Sequence, residues 1–216
     1  MQIDPRTDIL ALVDVQPTFM PGGELPVAGG DAIIPTINAL LRRFSHAIAT
    51  QDWHPPGHIS FASAHPGRKP YDMITLPYGA QVLWPDHALA GSAHAAIHPG
   101  IDQTRVEAFI RKGFHPDIDS YSAFFENDRD TPTGLEGWLR QRGFSRLFIC
   151  GLATDFCVAW SAEDAIQLGF QVIVIEDACR GIGLPEPNGR TTIDTARERL
   201  AAIGAGFIQS RAFGLG

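Results

Sequence analysis

The fold is decided by Leu147-Phe148-Ile149-Cys150-Gly151-Leu152-Ala153-Thr154-Asp155-Phe156-Cys157, where a short apolar run gives way to a helical pattern. Residues 147–150 show no alternation with polar residues, which is typical of a strand buried on both faces. The helical pattern runs from Thr154 to Leu168 and is followed by Gly169, a residue type that commonly terminates helices. A strand that leads directly into a helix predicts part of a parallel β–α–β unit.

The same alternation recurs on both sides of this stretch. Further apolar, β-branched runs predict strands at Ile9–Val15, Ala47–Thr50, Val106–Arg111, Val172–Ile175 and Phe207–Gln209. Further helical patterns follow a capping Asp31 (Ile33, Ile34, Ile37, Leu40, Leu41), span Thr133–Arg142 up to Gly143, and span Thr192–Ile203 up to Gly204. The alternation predicts an α/β fold: one domain over residues 1–216, a three-layer sandwich with a mostly parallel sheet of about six strands flanked by helices.

Composition restricts the class of protein further. The chain has 216 residues, of which 44% are hydrophobic and 19% charged, in the range of a folded globular domain. No apolar run reaches the roughly 18 residues that a membrane span needs, and the first residues lack the features of a signal peptide. A net charge of −7 argues against a nucleic-acid partner. Three scattered cysteines are typical of a cytoplasmic protein with free thiols, and we expect it to act on a small molecule. Whether the protein forms a homo-oligomer is left open by the sequence.

One segment does not follow the strand–helix alternation. Residues 53–103 are rich in proline, hold six of the eight histidines and show little periodicity. A long irregular stretch within a compact domain is usually functional. We therefore expect an insertion that acts as a lid or that holds a ligand.

Reactive side chains follow four consecutive predicted strands. Asp14 comes at the end of the first strand, Asp52 and His54 after the second, Lys112 after the third and Cys157 after the fourth. The carboxyl ends of parallel strands share one edge of the sheet, and ligands of such folds bind there. We therefore expect these side chains to meet in one site.

Cys157 is the candidate nucleophile of this site. It lies in the first turn of a predicted helix, where the helix dipole favours a thiolate, and a nearby lysine would lower the thiol pKa further. A carboxylate would serve as the general base. Cys150, inside an apolar strand, and Cys179, after a strand, are interpreted as ordinary buried thiols.

Asp52-Trp53-His54 places a carboxylate and an imidazole on one side of an extended segment, where they can share a divalent cation. The alternative interpretation of so short a motif is that these are ordinary polar residues on the protein surface. A further histidine would complete the ligand set, and spacing does not choose among His58, His65, His87, His94 and His98. Ser60 is either an additional ligand or a turn hydroxyl. Three aromatic residues in loops could wall a pocket for a flat ring or pack beneath those loops: Phe19, Trp84 and Tyr121.

Several motifs occur in an order that resembles a known family. They are Asp14-Val15-Gln16-Pro17-Thr18-Phe19, Asp52-Trp53-His54-Pro55-Pro56-Gly57-His58-Ile59-Ser60-Phe61, Leu83-Trp84-Pro85-Asp86-His87, Lys112-Gly113, Asp119-Ser120-Tyr121-Ser122-Ala123-Phe124 and Gly151-Leu152-Ala153-Thr154-Asp155-Phe156-Cys157-Val158. From about residue 8 to its end, the chain resembles the nicotinamidases, a branch of the isochorismatase-like cysteine hydrolases.

This resemblance implies roles for individual residues. It implies a catalytic triad of Asp14, Lys112 and Cys157, and a metal held by Asp52, His54 and His87, with Ser60 near it in some relatives. It also implies a cis peptide bond between Leu152 and Ala153, with the amides of Ala153 and Cys157 forming an oxyanion hole. Phe19, Trp84 and Tyr121 would bind the substrate ring.

The implied reaction is the hydrolysis of nicotinamide to nicotinate and ammonia through a cysteine thioester, in NAD salvage, with pyrazinamide as a second substrate. The implied cofactor is one divalent ion, with zinc favoured and iron or manganese compatible. Two alternatives remain. One is a metal-independent amide or ureido hydrolase of the same superfamily, and the other is a non-catalytic protein that binds a metal or a small molecule.

Overall fold

Six parallel strands form the central sheet of the computed structural model, which describes residues 1–215 apart from the side chain of Asn188. They are β1 (Asp8–Val13), β2 (Ala47–Asp52), β5 (Ala108–Lys112), β6 (Arg146–Leu152), β7 (Gln171–Arg180) and β8 (Gly206–Ile208). Their order is β5-β2-β1-β6-β7-β8, and every neighbouring pair is parallel. The predicted α/β class and the six-stranded sheet are confirmed.

Helices in the connections flank this sheet. The α-helices of the described chain are α1 (Ile34–Leu41), α2 (Leu135–Gln141), α3 (Ala159–Gln167) and α4 (Thr192–Ala202). Short 3₁₀ turns lie at Pro17–Phe19, Gly30–Ile33, Ala62–Ala64, Ala93–Ala95, Gln103–Arg105, Pro187–Gly189 and Ser210–Phe213. Among the residues described, no helix combines the length and the apolar character that crossing a membrane requires.

The core is centred on the two middle strands. All six residues of β1 are buried, as are the last six of β6. Strands of the interior of a parallel sheet are covered by helices on both faces, which is why their sequences are continuous apolar runs. This rigid centre holds the strand ends at which the reactive side chains lie.

Some details differ from the sequence-based expectations. β1 ends at Val13 because Asp14 adopts a left-handed backbone conformation, with φ of 47°. Asp31 lies within a 3₁₀ turn and its side chain caps neither that turn nor α1, so its predicted capping role is wrong. β7 runs to Arg180, which places Cys179 inside a strand rather than after it.

The segment 53–103 is less irregular than its composition suggested. It contains an antiparallel hairpin of β3 (Met73–Leu76) and β4 (Gly79–Val82), which the sequence analysis did not predict. Isolated bridges pair His54 with Leu89 and Phe61 with Trp84, so the segment folds back along itself. Its buried histidines and Trp84 consequently lie beside the carboxyl end of β2.

Candidate active site

The four strand ends that the sequence singled out are neighbours in the sheet. Asp52 and Lys112 are register partners in the β2–β5 ladder, and Asp14 follows the adjacent β1. Cys157 follows β6, on the other side of β1. The side chains of Asp14, Asp52 and Cys157 bring one ligand atom each within 4.8 Å of one another. The predicted meeting of these residues at one edge of the sheet is confirmed.

Lys112 lies at the centre of this cluster and is fully buried. Its Nζ is 2.9 Å from Asp14 Oδ2, 2.5 Å from Asp52 Oδ1 and 3.4 Å from Cys157 Sγ, and it donates to the carbonyl of Ser120 at 2.8 Å. Burial alone would lower the lysine pKa, but the two carboxylates outweigh it and hold the pKa well above its usual value. Lys112 is therefore an ammonium ion with no access to solvent.

Asp14 is held by Thr50, a contact that sequence analysis missed. The Thr50 hydroxyl donates to Asp14 Oδ1 at 2.5 Å and accepts from the Asp14 backbone N–H at 3.1 Å. Complete burial raises the pKa of Asp14, although Lys112 opposes the shift. A carboxylate with a raised pKa is a better proton acceptor, which suits a general base.

Cys157 lies in a single π-helical turn, Thr154–Val158, that precedes α3. Burial raises the pKa of its thiol well above the usual value; Lys112 opposes this shift, and Asp14 and Asp52 reinforce it. The expected lowering of the thiol pKa is therefore wrong for this arrangement, because burial, reinforced by the two carboxylates, outweighs the effect of the lysine. The thiol carries its proton in this state and has a carboxylate close by that can take it.

A set of metal-ligand side chains adjoins the cluster. Asp52 Oδ2 lies 3.3 Å from His54 Nε2 and 3.4 Å from His87 Nε2, and all three residues are buried. His54 Nδ1 is 2.8 Å from the carbonyl of Gly113, and His87 Nδ1 is 2.8 Å from that of Pro85. A carbonyl only accepts, so both Nδ1 atoms carry a proton, which leaves Nε2 of each ring as the atom that can bind a metal.

These donors fit a divalent cation. His54 Nε2 is buried and has no hydrogen-bond partner among the described residues, which is costly unless another group uses its lone pair. Burial opposes ionisation of Asp52, but Lys112 outweighs it and holds the carboxyl pKa well below its usual value. One carboxylate and two imidazoles that bind through Nε2 are the donor set of many sites for zinc and related ions.

His58 lies against His54, with ring centroids 4.3 Å apart, but its nitrogens are already used. Its Nε2 is 3.2 Å from the carbonyl of Ile118, and its Nδ1 is 2.8 Å from Ser60 Oγ. Burial and His54 lower the pKa of His58 to about 4, so it is neutral and accepts the Ser60 hydroxyl proton. His58 thus orients Ser60, whose approach to a metal stays a prediction.

The remaining histidine candidates make other contacts. His65 Nε2 is 2.7 Å from the carbonyl of Ile59, and His94 pairs with Glu24 at 2.7 Å. His98 Nδ1 accepts from the backbone N–H of Gly100 at 3.0 Å. Of the five histidines that spacing left open, His87 is the one grouped with Asp52 and His54.

A small cavity opens onto Cys157 and the metal ligands. Phe19, Trp84 and Tyr121, the three predicted ring-binding residues, all line it. The Tyr121 hydroxyl accepts from Trp84 Nε1 at 3.1 Å and from Gln81 Nε2 at 3.0 Å, which fixes both rings. Ala153 also lines the cavity, and the peptide bond between Leu152 and Ala153 is cis, as the resemblance implies. Lining residues that sequence analysis missed are Leu25, Asp119, Phe156 and Ile182.

Gly113 determines where the His54 ring lies. Its φ is +66°, and a Cβ at this position would be 2.5 Å from His54 Cε1. We expect Gly113→Ala to displace the ring and weaken metal binding by about tenfold or more, the usual effect of a change behind a metal ligand. Gly134→Ala is the matched control, since Gly134 also has positive φ (+92°) but has nothing within 4 Å of its Cβ position.

Metal content after dialysis, measured by mass spectrometry, checks this prediction. Both variants are expected to unfold at a lower temperature than wild type because alanine is strained at positive φ. Only Gly113→Ala is expected to lose metal. Equal metal retention by the two variants would show that metal binding does not depend on the present position of the His54 ring.

The fold and the site together define a class of α/β protein in which a buried thiol lies beyond the ends of parallel strands, where ligands of such folds bind. Comparison with known proteins agrees with this class. The family model of the isochorismatase domain matches residues 8–205. A nicotinamidase of Acinetobacter baylyi is 52% identical over 202 residues, which cover 94% of this chain and 92% of that protein.

Solved structures of related proteins are also similar. A nicotinamidase/pyrazinamidase of Acinetobacter baumannii has a TM-score of 0.92 and 49% identity, covering 97% of this chain and 99% of its own. PnC1 of L. infantum, in complex with nicotinate, has a TM-score of 0.84 and 37% identity, and the match covers 98% of this chain and 97% of that one. Pyrazinamidase of Pyrococcus horikoshii, in complex with zinc, has a TM-score of 0.74 and 34% identity, and the match covers 94% of this chain and 98% of that one. The chain belongs to the isochorismatase family, and within it to the nicotinamidases.

Proposed function

We propose that this protein hydrolyses nicotinamide to nicotinate and ammonia, a step of NAD salvage, within one catalytic domain. The observation that carries the proposal is that a cluster of Asp14, Lys112 and Cys157 adjoins a metal-ligand set in one cavity walled by aromatic rings. The first group suits attack on an amide carbonyl, and the second suits a ligand with a ring nitrogen. The nicotinate complex of the L. infantum relative supports this substrate class.

Asp52, His54 and His87 would hold the metal ion. When bound, the ion supplies a Lewis-acid position that fixes the ring nitrogen and so orients the carboxamide. Zinc is the favoured ion because the Pyrococcus horikoshii relative is a zinc complex, and iron or manganese suits the same donors. Ser60, oriented by His58, is proposed as an additional ligand.

Cys157 would attack the carboxamide carbon, forming the carbon–sulfur bond as its thiol proton passes to Asp14. Lys112, 3.4 Å from the sulfur, stabilises the anionic sulfur during the attack. Asp14 then returns the proton to the leaving nitrogen, the carbon–nitrogen bond breaks, and ammonia departs. A water molecule then attacks the thioester carbon while Asp14 takes a proton from it. The carbon–sulfur bond breaks, nicotinate is released, and the proton on Asp14 passes to the sulfur and restores the thiol.

The remaining lining residues would hold the reacting group in position. The backbone N–H groups of Ala153 and Cys157 are proposed to bind the oxygen that becomes negative in the tetrahedral intermediate. Phe19, Trp84 and Tyr121 would clamp the flat ring, and the restrained Trp84–Tyr121 pair requires little ordering when substrate binds. Pyrazinamide presents the same carboxamide on a flat ring with a nitrogen in the same place, so it is the expected second substrate.

Ammonia release from nicotinamide by the purified protein tests the proposal. We expect release by the metal-loaded protein, at least a hundredfold loss after a chelator removes the metal, and recovery when zinc is restored. Release that is unaffected by complete metal removal would favour the metal-independent hydrolase instead. If metal-loaded protein releases no ammonia, the non-catalytic binding protein becomes the better interpretation.

A further inference from the structure

Asp155 lies two residues before Cys157 and has no part in the chemistry described above. It is buried, and both oxygens of its carboxylate accept hydrogen bonds from residues far along the chain. Oδ1 accepts from the backbone N–H of Ile182 at 2.9 Å. Oδ2 accepts from the N–H of Gly183 at 2.9 Å and from the Thr192 hydroxyl. The turn that carries the nucleophile is thereby joined to residues 181–184.

Thr192, the first residue of α4, extends this connection. Its hydroxyl accepts from the backbone N–H of Leu184 at 2.9 Å while it donates to Asp155. Its own N–H donates to the carbonyl of Leu184, also at 2.9 Å. Residues 181–184 are therefore attached by a continuous set of hydrogen bonds that begins at the Asp155 carboxylate.

The two sides of this segment differ. On one side, Ile182 lines the cavity that contains Cys157. On the other, Gly181 borders a second, largely apolar cavity of about 240 Å³, to which Val158 and Ile193 also contribute. Ile193 lies directly behind Gly181 and Gly183, and the hydrogen bonds to Asp155 and Thr192 fix the backbone of residues 182–184 between this contact and the cavity that contains Cys157.

Gly181 shows how closely the segment approaches Asp155. A Cβ at this position would lie 2.9 Å from Asp155 Oδ1 and 2.7 Å from Ile193 Cδ1. Only glycine allows this approach without a shift of its neighbours. The contact between residues 181–184 and Asp155 is therefore a close backbone contact and not a loose surface one.

We propose that Asp155 is a positioning residue that sets the width of the ring pocket by holding Ile182 at its wall. The inference rests on the proposed function and adds the substrate range: carboxamides of small flat heteroaromatic rings without substituents on the side that faces Ile182. Without the Asp155 carboxylate, the backbone N–H groups of Ile182 and Gly183 lose their acceptors, so residues 181–184 shift and Ile182 no longer holds the pocket at its present width.

Asp155→Asn is the direct test, because the amide keeps one acceptor oxygen and brings an NH₂ group against N–H donors. The kinetic constants are measured for nicotinamide and for each of its ring-methylated isomers. We expect the KM for nicotinamide to rise by about tenfold, and kcat/KM for at least one methylated isomer to rise by about tenfold relative to that for nicotinamide. The kcat for nicotinamide is expected to stay within about threefold of wild type, since the reacting groups are unchanged.

Two further variants keep the test decisive if Asp155→Asn does not fold. Ile182→Ala shortens the pocket wall directly and should give the same rise in relative kcat/KM for a methylated isomer. Thr192→Val removes one hydrogen bond to Asp155 and should give a smaller rise in the same direction. Asp164→Asn removes another buried carboxylate, one that pairs with Arg129, and should leave the relative kcat/KM unchanged.

The possible results separate this inference from the proposed function. A uniform fall in kcat for all substrates, with KM and relative kcat/KM unchanged, would mean that Asp155 acts on Cys157 and would overturn the inference. An Ile182→Ala variant with wild-type selectivity would overturn it as well. Wild-type protein that releases no ammonia from nicotinamide would instead refute the proposed function itself.

Discussion

Cys157→Ala is expected to lower kcat for nicotinamide hydrolysis by roughly 10⁴- to 10⁶-fold, the usual cost of removing a nucleophile that forms a covalent intermediate. The loss arises because no other thiol can reach the carboxamide: Cys150 lies within β6 and Cys179 within β7. Metal content is expected to be unchanged, since the sulfur is not one of the atoms grouped around His54 and His87. Ammonia release and metal analysis of the same preparation check both statements.

Cys150→Ala is the matched control for this variant. Cys150 is buried as well, and its Sγ donates a weak hydrogen bond to the carbonyl of Ala11 at 3.7 Å. We expect a modest loss of stability from the smaller side chain and near-normal turnover. Retained turnover in Cys157→Ala, or an equal loss in the two variants, would remove Cys157 as the nucleophile.

Lys112→Met is expected to destabilise the protein by about 3–5 kcal/mol and to abolish turnover, because it leaves the buried Asp14 carboxylate without a cation and removes the ammonium ion beside Asp52. Asp14 and Asp52 lie 2.9 Å and 2.5 Å from the Lys112 ammonium, and Asp14 is completely buried. The free energy of unfolding, measured by urea denaturation, and ammonia release check the two parts separately.

The chain contains its own control for this substitution. It has two lysines, and Lys69 is exposed, so Lys69→Met should change neither stability nor turnover appreciably. A double variant, Lys112→Met with Asp14→Asn, should regain part of the lost stability because one buried charge is removed, yet it should stay inactive. If Lys112→Met alone is as stable as wild type, the buried ion cluster does not have the charges assigned to it.

Much of the site could be predicted from local sequence. The apolar runs and the glycines after helices indicate an alternating α/β chain, and a parallel sheet necessarily brings the carboxyl ends of its strands to one edge. Asp14, Asp52, Lys112 and Cys157 each follow a strand, so their meeting required no knowledge of distant contacts. These predictions succeeded because they depend on periodicity and chain direction alone.

The other features of the site depend on contacts between distant parts of the chain. Spacing could not choose His87 from the other histidines, because a loop of more than 30 residues separates it from His54. Nor could sequence show how completely the thiol is buried, which reverses the expected direction of the Cys157 pKa shift. The same holds for Thr50 beside Asp14 and for Asp155 beside Ile182.

The physical reason is the range over which each determinant acts. Secondary structure and strand direction follow from neighbouring residues, which is why the α/β fold and the edge at which the site lies could be predicted from the amino-acid sequence. Desolvation, ion pairing and ligand geometry depend on atoms within a few ångströms that come from distant parts of the chain. The folded structure alone determined the protonation of the thiol, the choice of the second imidazole and the hydrogen bonds that attach Ile182 to the turn carrying the nucleophile.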